Sequence, residues 1–277
     1  MIPRRAVSPI LVASLSTVLL ATLASGIAAG TAPVTAPVSS PGRQAATDTL
    51  EGDFLYRALM LRAAPGDLLA VIDMVKDRLP TYAAFSDAGP FLMRHSQGDQ
   101  WDLMVLFPMG GFEEYYSPAA VEARESAFRG SGVPEADFES ELTAHVAWRE
   151  DWFVRGPAPG ALGARFDGMS FFHIEIFLAL HDKRGELLEQ RRMENDYLER
   201  IGRQQNVIFT RAAGAPWDMF TLGFYRDIKQ YAESADIAEE VEERAARAAG
   251  FEGAGSIGSY LRSLIAAHHD TLAVAVR

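Results

Sequence analysis

The sequence predicts an α+β protein in which one unit of order strand, helix, strand, strand, helix, strand is used twice. Three observations carry that prediction. Trp101-Asp102 opens one apolar run, residues 103–107, and Trp217-Asp218 opens another, residues 219–222, with Tyr115 and Tyr231 following the two tryptophans at the same offset. Gly66-Asp67-Leu68-Leu69 is mirrored by Gly185-Glu186-Leu187-Leu188, each closing an aromatic-rich stretch that begins near Phe54 or Phe172. The strands lack the alternating apolar and polar pattern of a one-sided sheet, as expected where both faces are covered. A fixed internal period decides architecture before any local reading does.

Each element follows from its own pattern. Residues 54–61 are rich in aromatic and aliphatic side chains and stop at Pro65-Gly66, which fits a strand buried on both faces. Leu68, Leu69, Ile72, Val75 and Leu79 then recur at helical spacing, with Asp67 placed to cap the helix and Pro80 to end it. Residues 91–95 and 101–107 read as two strands joined by a hairpin-type connection. Helical patterns cover 112–128 and 135–151, and 152–154 form a short last strand. The second unit gives the same order: strand 171–178, helix 185–201, strands 207–210 and 217–224, helices within 228–249 and 256–269, and strand 271–276. Right-handed crossovers place both helices of a unit on one face of a four-stranded antiparallel sheet and leave the other face bare. Two ferredoxin-like βαββαβ repeats, 51–155 and 169–277, are therefore expected to pack their sheets face to face as an intrachain α+β barrel, with 156–168 as the linker between them.

Composition bounds the rest. Met1-Ile2-Pro3-Arg4-Arg5 is a short basic start to an uncharged apolar stretch, 6–24, that runs into small residues through Gly30. This is the layout of a secretory signal, so residues 1–30 are expected to be lost on export to the periplasm or medium; an uncleaved anchor is the competing reading. Residues 31–50 carry too little large apolar surface to offset ordering entropy and read as a flexible linker. The 277 residues include no cysteine, which rules out disulfides, thiolate catalysis and thiolate metal sites. About 245 residues remain after the signal, enough to bury a large core. A net charge of −11 speaks against nucleic acid and anionic lipid as partners, and no membrane contact is expected after signal cleavage.

With this element order and the repeated Trp-Asp and Tyr positions, residues 54–276 resemble the dimeric α+β barrel superfamily, in a tandem form where one chain supplies both halves of the barrel. Trp217-Asp218 with Phe224-Tyr225-Arg226-Asp227 is also similar to stretches of exported bacterial proteins of unassigned function. The superfamily includes cofactor-free monooxygenases of polyketide-type quinols, haem-binding peroxidase-like and chlorite-degrading enzymes, and small stress or binding proteins. Fold alone does not choose among them.

His173-Ile174-Glu175 is the most informative polar feature. Strand alternation puts His173 and Glu175 on one face, where an apolar surrounding would shift their pKa values and suit them as acid, base or ligand. The equivalent strand of the first unit offers Tyr56 and Arg57, and a structural Arg57–Glu175 pair across the barrel is the competing reading. His173, Glu175 and Arg57 are thus the candidate catalytic residues, around a barrel cleft, and Tyr56, His145 and His268 the candidate ligand-binding residues. His145 ends the helical stripe Phe138, Leu142, His145, and His268 the stripe Ile257, Leu261, Leu264, His268, both expected to face a sheet. Because haem-binding members of the superfamily take an axial histidine from a helix of this unit, the resemblance implies His145 or His268 as such a ligand; the residues by themselves read as hydrogen-bonded core histidines. His268-His269-Asp270, read as helical, points successive side chains about 100° apart and builds no shared ion site. No metal and no cofactor are therefore expected, and the expected partner is a small apolar or aromatic ligand.

The two Trp-Asp pairs read as aromatic plugs with turn-stabilising carboxylates. Phosphate loops, GxSxG elbows and HExxH patterns are missing from the sequence. Two functions stay open: an exported small-molecule-binding or scaffolding protein, and a cofactor-independent monooxygenase-like enzyme using the barrel cleft.

Overall fold

A computed structural model describes residues 50–86 and 88–276. The expected signal peptide, and the linker as far as Thr49, lie outside the described residues. The first half runs β1 (Phe54–Ala63), α1 (Leu68–Tyr82), β2 (Phe91–Gln97), β3 (Leu103–Gly110), α2 (Phe112–Tyr115), α3 (Pro118–Gly130), α4 (Glu135–Ala144) and β4 (Val146–Gly156). After α5 (Pro159–Phe166), the second half runs β5 (Phe171–Ala179), α6 (Arg184–Arg200), β6 (Val207–Gly214), β7 (Met219–Tyr225), α7 (Ile228–Ala232), α8 (Glu239–Ala248), α9 (Ile257–Leu264) and β8 (Ile265–Ala275).

The strands form one closed antiparallel barrel in the order β1-β3-β2-β8-β5-β7-β6-β4. The four strands of each half are contiguous, and two seams join them: β2 pairs with β8 and β4 with β6. The sheets thus do more than face each other, as expected from sequence. They hydrogen-bond along both edges, which removes every free edge of the barrel. Each seam closes on a glycine in the left-handed region, Gly98 (φ 113°) and Gly214 (φ 97°). A Cβ on Gly98 would stand 2.2 Å from Asp270 O, and one on Gly214 2.8 Å from Trp152 Cα, so neither place accepts a side chain.

Alternation divides the strands between two environments. Tyr56, Ala58 and Met60 of β1, Phe172, Ile174 and Ile176 of β5 and residues from the other six strands point inward into one buried core. Within it Phe209 stacks on Phe220 at 4.5 Å. The segment expected as a linker contains α5, which starts with Pro159 in its first turn. Leu162 and Phe166, one turn apart, pack into the core, Phe166 against Phe91, Phe172 and Phe224. The outer faces lie under helices: Leu59, Leu61 and Val105 under Val71, Val75 and Phe128, and Phe177 and Met219 under Leu187, Leu261 and Leu264.

Asp102 and Asp218 staple strands. Asp102 Oδ2 accepts the Ala63 N–H at 2.8 Å and Asp218 Oδ2 the Ala179 N–H at 2.9 Å, so each fixes the end of the neighbouring strand rather than its own turn. Trp101 is the expected buried plug; Trp217 is half-buried and donates its Nε1–H to Glu150 at 2.9 Å.

Several boundaries differ from expectation. Helix α4 ends at Ala144 and α9 at Leu264, and both chains turn at once into long strands. The sequence hides them because Arg149 and Asp151, or His268 and Asp270, put charge on an outer strand face. Helix α1 runs through Pro80 to Tyr82, and Tyr82 packs on Phe85, Phe107 and Phe128, which holds that last turn despite the hydrogen bond the proline forfeits. The helical stretch expected over 112–128 breaks at Ser117, whose Oγ caps α3 by accepting the Ala120 N–H at 3.3 Å. Asp67 and Lys183 are the two N-cap residues, so Gly66 precedes its helix while Gly185 lies inside one, and the Gly-x-Leu-Leu match does not mark equivalent places. Among the described residues no helix is long and apolar enough to cross a membrane.

Candidate functional site

The structure separates the residues expected to share a barrel cleft. Tyr56 points into the filled core, where its hydroxyl donates to Pro157 O at 2.6 Å and burial pushes its pKa up. Arg57, the next residue, lies on the outer face of the first half. His173 and Glu175 lie on the outer face of the second, because Phe172, Ile174 and Ile176 take the interior. No Arg57–Glu175 pair forms: Arg57 Nε donates to Asp151 Oδ1 at 2.6 Å. His145 is the C-cap of α4, with Nδ1 3.0 Å from Asp67 Oδ2, and His268 sits on β8. Neither is on a helical stripe facing the sheet.

Beneath α6 the outer face of β5 and β8 carries a charged cluster. His173 Nε2 lies 2.6 Å from Asp270 Oδ1. Glu175, cross-strand neighbour of Asp270, is buried; its Oε2 accepts from Thr221 Oγ1 at 3.1 Å and Arg191 Nη1 at 3.2 Å, and its Oε1 lies 3.5 Å from His268 Nε2. Arg191 also donates to Gln190 and Glu194 and stacks over Phe177 at 4.9 Å. Burial works against the Glu175 charge, but His268, Arg191 and His173 outweigh it and hold the carboxyl well below its usual range. Burial likewise opposes the charge on His173, and the bond to Asp270 with the negative charge of Glu175 overcomes it and raises the pKa. Tyr231 packs 5.4 Å from the His173 ring. Sequence reading missed Asp270 and Arg191. The signal was there in His268-His269-Asp270, which on a strand places His268 and Asp270 on one face.

The first half has an open cleft at the corresponding level. Arg57, Tyr82, Phe107, Tyr115, Arg124 and Phe128 line about 220 Å³ between the sheet, the end of α1, and α2 and α3. It adjoins a wider recess of about 420 Å³ that shares Phe85, Pro108, Tyr115 and Arg124. Arg124 lies over the Tyr115 ring at 3.7 Å and donates to Tyr115 O at 2.6 Å. Arg57 stands over Phe107 at 5.3 Å. On its far side Asp151 and Glu139 also hold Arg149, at 2.6 and 2.5 Å.

No protein-family model matches the chain, and a search of curated proteins finds no match. Solved structures do match. An anthrone oxidase-like protein aligns at 10% identity and TM-score 0.51, over 83% of this chain and 93% of its own. A candidate monooxygenase from Fusobacterium nucleatum aligns at 11% identity and TM-score 0.49, over 81% and 94%. A mutant chlorite dismutase from Candidatus Nitrospira defluvii aligns at 10% identity and TM-score 0.42, over 83% and 95%. This chain has the dimeric α+β barrel fold.

The histidines that the sequence resemblance raised as haem ligands, His145 and His268, do not fit that role. His145 Nδ1 is taken by Asp67, and the His268 ring lies flat on Phe177 at 4.9 Å with Nε2 directed at Glu175. The space beside His268 is a polar surface recess of Gly98, Asp99, Gln100 and Asp270, which offers a macrocycle no apolar walls.

Proposed function

We propose that this α+β barrel is one βαββαβ unit used twice and that its first half binds a small planar aromatic compound as an anion, in the cleft between Phe107, Tyr82, Phe128 and Tyr115. The observation that carries this reading is the pairing of aromatic walls with two guanidinium groups, Arg57 and Arg124, around about 220 Å³ that widens into the adjoining recess, while the two carboxylates on its wall, Glu125 and Glu135, are held by Arg129 and Arg78. Ligand pockets combine apolar walls with a few polar groups in this way. A guanidinium recognises a carboxylate or phenolate and turns away the neutral analogue. The filled barrel interior supports this outer cleft over a site inside the barrel.

The same feature favours a second reading, cofactor-independent oxidation in this cleft, since stabilising an aromatic oxyanion supplies the electron-rich form that dioxygen attacks. The apolar N-terminal stretch supports export, with the site facing an extracytoplasmic pool of such compounds.

Calorimetry with 1-naphthoate and with neutral 1-naphthalenemethanol tests the proposal. The carboxylate is expected to bind, and Arg124→Gln to weaken it about tenfold or more, the size of a lost charged hydrogen bond. Equal affinity for the neutral compound, or no change in Arg124→Gln, would overturn it. Dioxygen uptake with anthrone as probe separates oxidation from binding alone.

A further inference from the structure

The charged cluster under α6 carries a second, separate proposal. His173, Glu175 and Asp270 each offer a ligand atom, and the three atoms lie within 4.8 Å of one another. One pair is already at 2.6 Å. Ligands at about 2.1 Å around a tetrahedral ion stand about 3.4 Å apart, inside this range, so small side-chain rotations suffice to enclose one. A second imidazole is aimed at the same place: His268 Nε2 is buried, has no hydrogen-bond partner among the described residues, and lies 3.5 Å from Glu175 Oε1.

Outer contacts hold the central ligand in place. Thr221 Oγ1 and Arg191 Nη1 both bond Glu175 Oε2, which leaves Oε1 turned toward the two histidines. Glu175 and Glu194 share the one guanidinium of Arg191, and Asp270 pairs with His173. Solvent reaches the cluster at Asp270, whose side chain is 56% exposed and borders the recess of Gly98, Asp99 and Gln100.

We propose that His173, Glu175 and Asp270 bind a divalent first-row transition cation such as Zn²⁺ or Co²⁺, with His268 as a fourth donor. The mixed imidazole and carboxylate set suits these ions better than Ca²⁺ or Mg²⁺, which take oxygen alone. The first half cannot do the same. At the positions corresponding to His173 and Glu175 it carries Arg57 and Leu59, neither of which ligates a cation.

The test uses the full chain stripped with EDTA, titrated with Co²⁺ by visible absorption and with Zn²⁺ by calorimetry. One equivalent is expected, with a tetrahedral or five-coordinate Co²⁺ spectrum. His173→Gln and Asp270→Asn should each weaken Zn²⁺ by at least about tenfold. Asp270 is exposed, so its variant keeps the test decisive if the His173 variant fails to fold. His181→Ala, at the exposed His181–Asp182 pair, should leave affinity unchanged. Absence of binding by the parent protein, or unchanged binding in both ligand variants, would overturn the proposal. So would loss in Asp99→Asn alone, which would place the ion at the neighbouring Asp99–His269 pair, 2.8 Å apart.

Discussion

Across β1 and β4, Leu59 faces Asp151; across β5 and β8, Glu175 faces Asp270. One step along, Arg57 reaches Asp151 at 2.6 Å and His173 reaches Asp270 at 2.6 Å. The eighth residue of the covering helix is Val75 in α1 and Arg191 in α6. The two outer faces thus carry matching ion pairs and differ in the residues between them. Where these are Leu59 and Val75, the polar groups are pushed to the side and an aromatic cleft opens beside Arg57. Where they are Glu175 and Arg191, charge fills the centre and draws His268 and Glu194 in.

The largest effect is expected where that difference is greatest. Glu175→Leu leaves a buried guanidinium facing Glu194 alone and should cost about 3–5 kcal/mol in urea unfolding at neutral pH. Making the second half resemble the first, by adding Arg191→Val, should recover most of the loss, because apolar replacement of a buried pair is often neutral. A double variant no more stable than the single one would show that the two faces are not interchangeable.

The seams make a weaker test of likeness. Gly98→Ala and Gly214→Ala each force a Cβ into backbone at positive φ and should each cost about 1–3 kcal/mol. A loss at one seam and none at the other would show that the closures differ.

The smallest effect is electrostatic. Burial of Asp151 disfavours its charge, but Arg57 and then Arg149 outweigh burial and hold its pKa below the ordinary carboxylate value. A group depressed in the folded state gives stability that is present above its unfolded pKa and is lost as pH falls through the folded one. Below about pH 4 the parent protein should lose melting temperature more steeply than Asp151→Asn. Identical slopes would remove Asp151 from the account of the first half.

How much of this was legible in the sequence depends on which face a residue serves. Interior positions such as Phe172, Ile174 and Ile176 read correctly as strand, because burial imposes a pattern that composition reveals. Outer positions of β4 and β8 did not read correctly. Arg149, Asp151, His268 and Asp270 looked helical because each continues a preceding helical pattern with a charged or polar residue, and the partners of Asp151 and Asp270 lie 94 and 97 residues away in the chain. His173 and Glu175 were found as a pair, but Asp270 was set aside on a helical assumption. Arg191 gave no signal, since one more arginine in a charged helix reads as surface. The cleft residues Tyr82 and Arg124 were hidden by Pro80 and by the break at Ser117.

A crossed titration tests most directly whether the two outer faces carry two chemistries. The parent protein, Arg124→Gln and Asp270→Asn are each titrated with 1-naphthoate and with Zn²⁺. The account predicts that Arg124→Gln loses the aromatic anion and keeps the ion, and that Asp270→Asn loses the ion and keeps the aromatic anion. Loss of both ligands in either variant, or of neither, would contradict it.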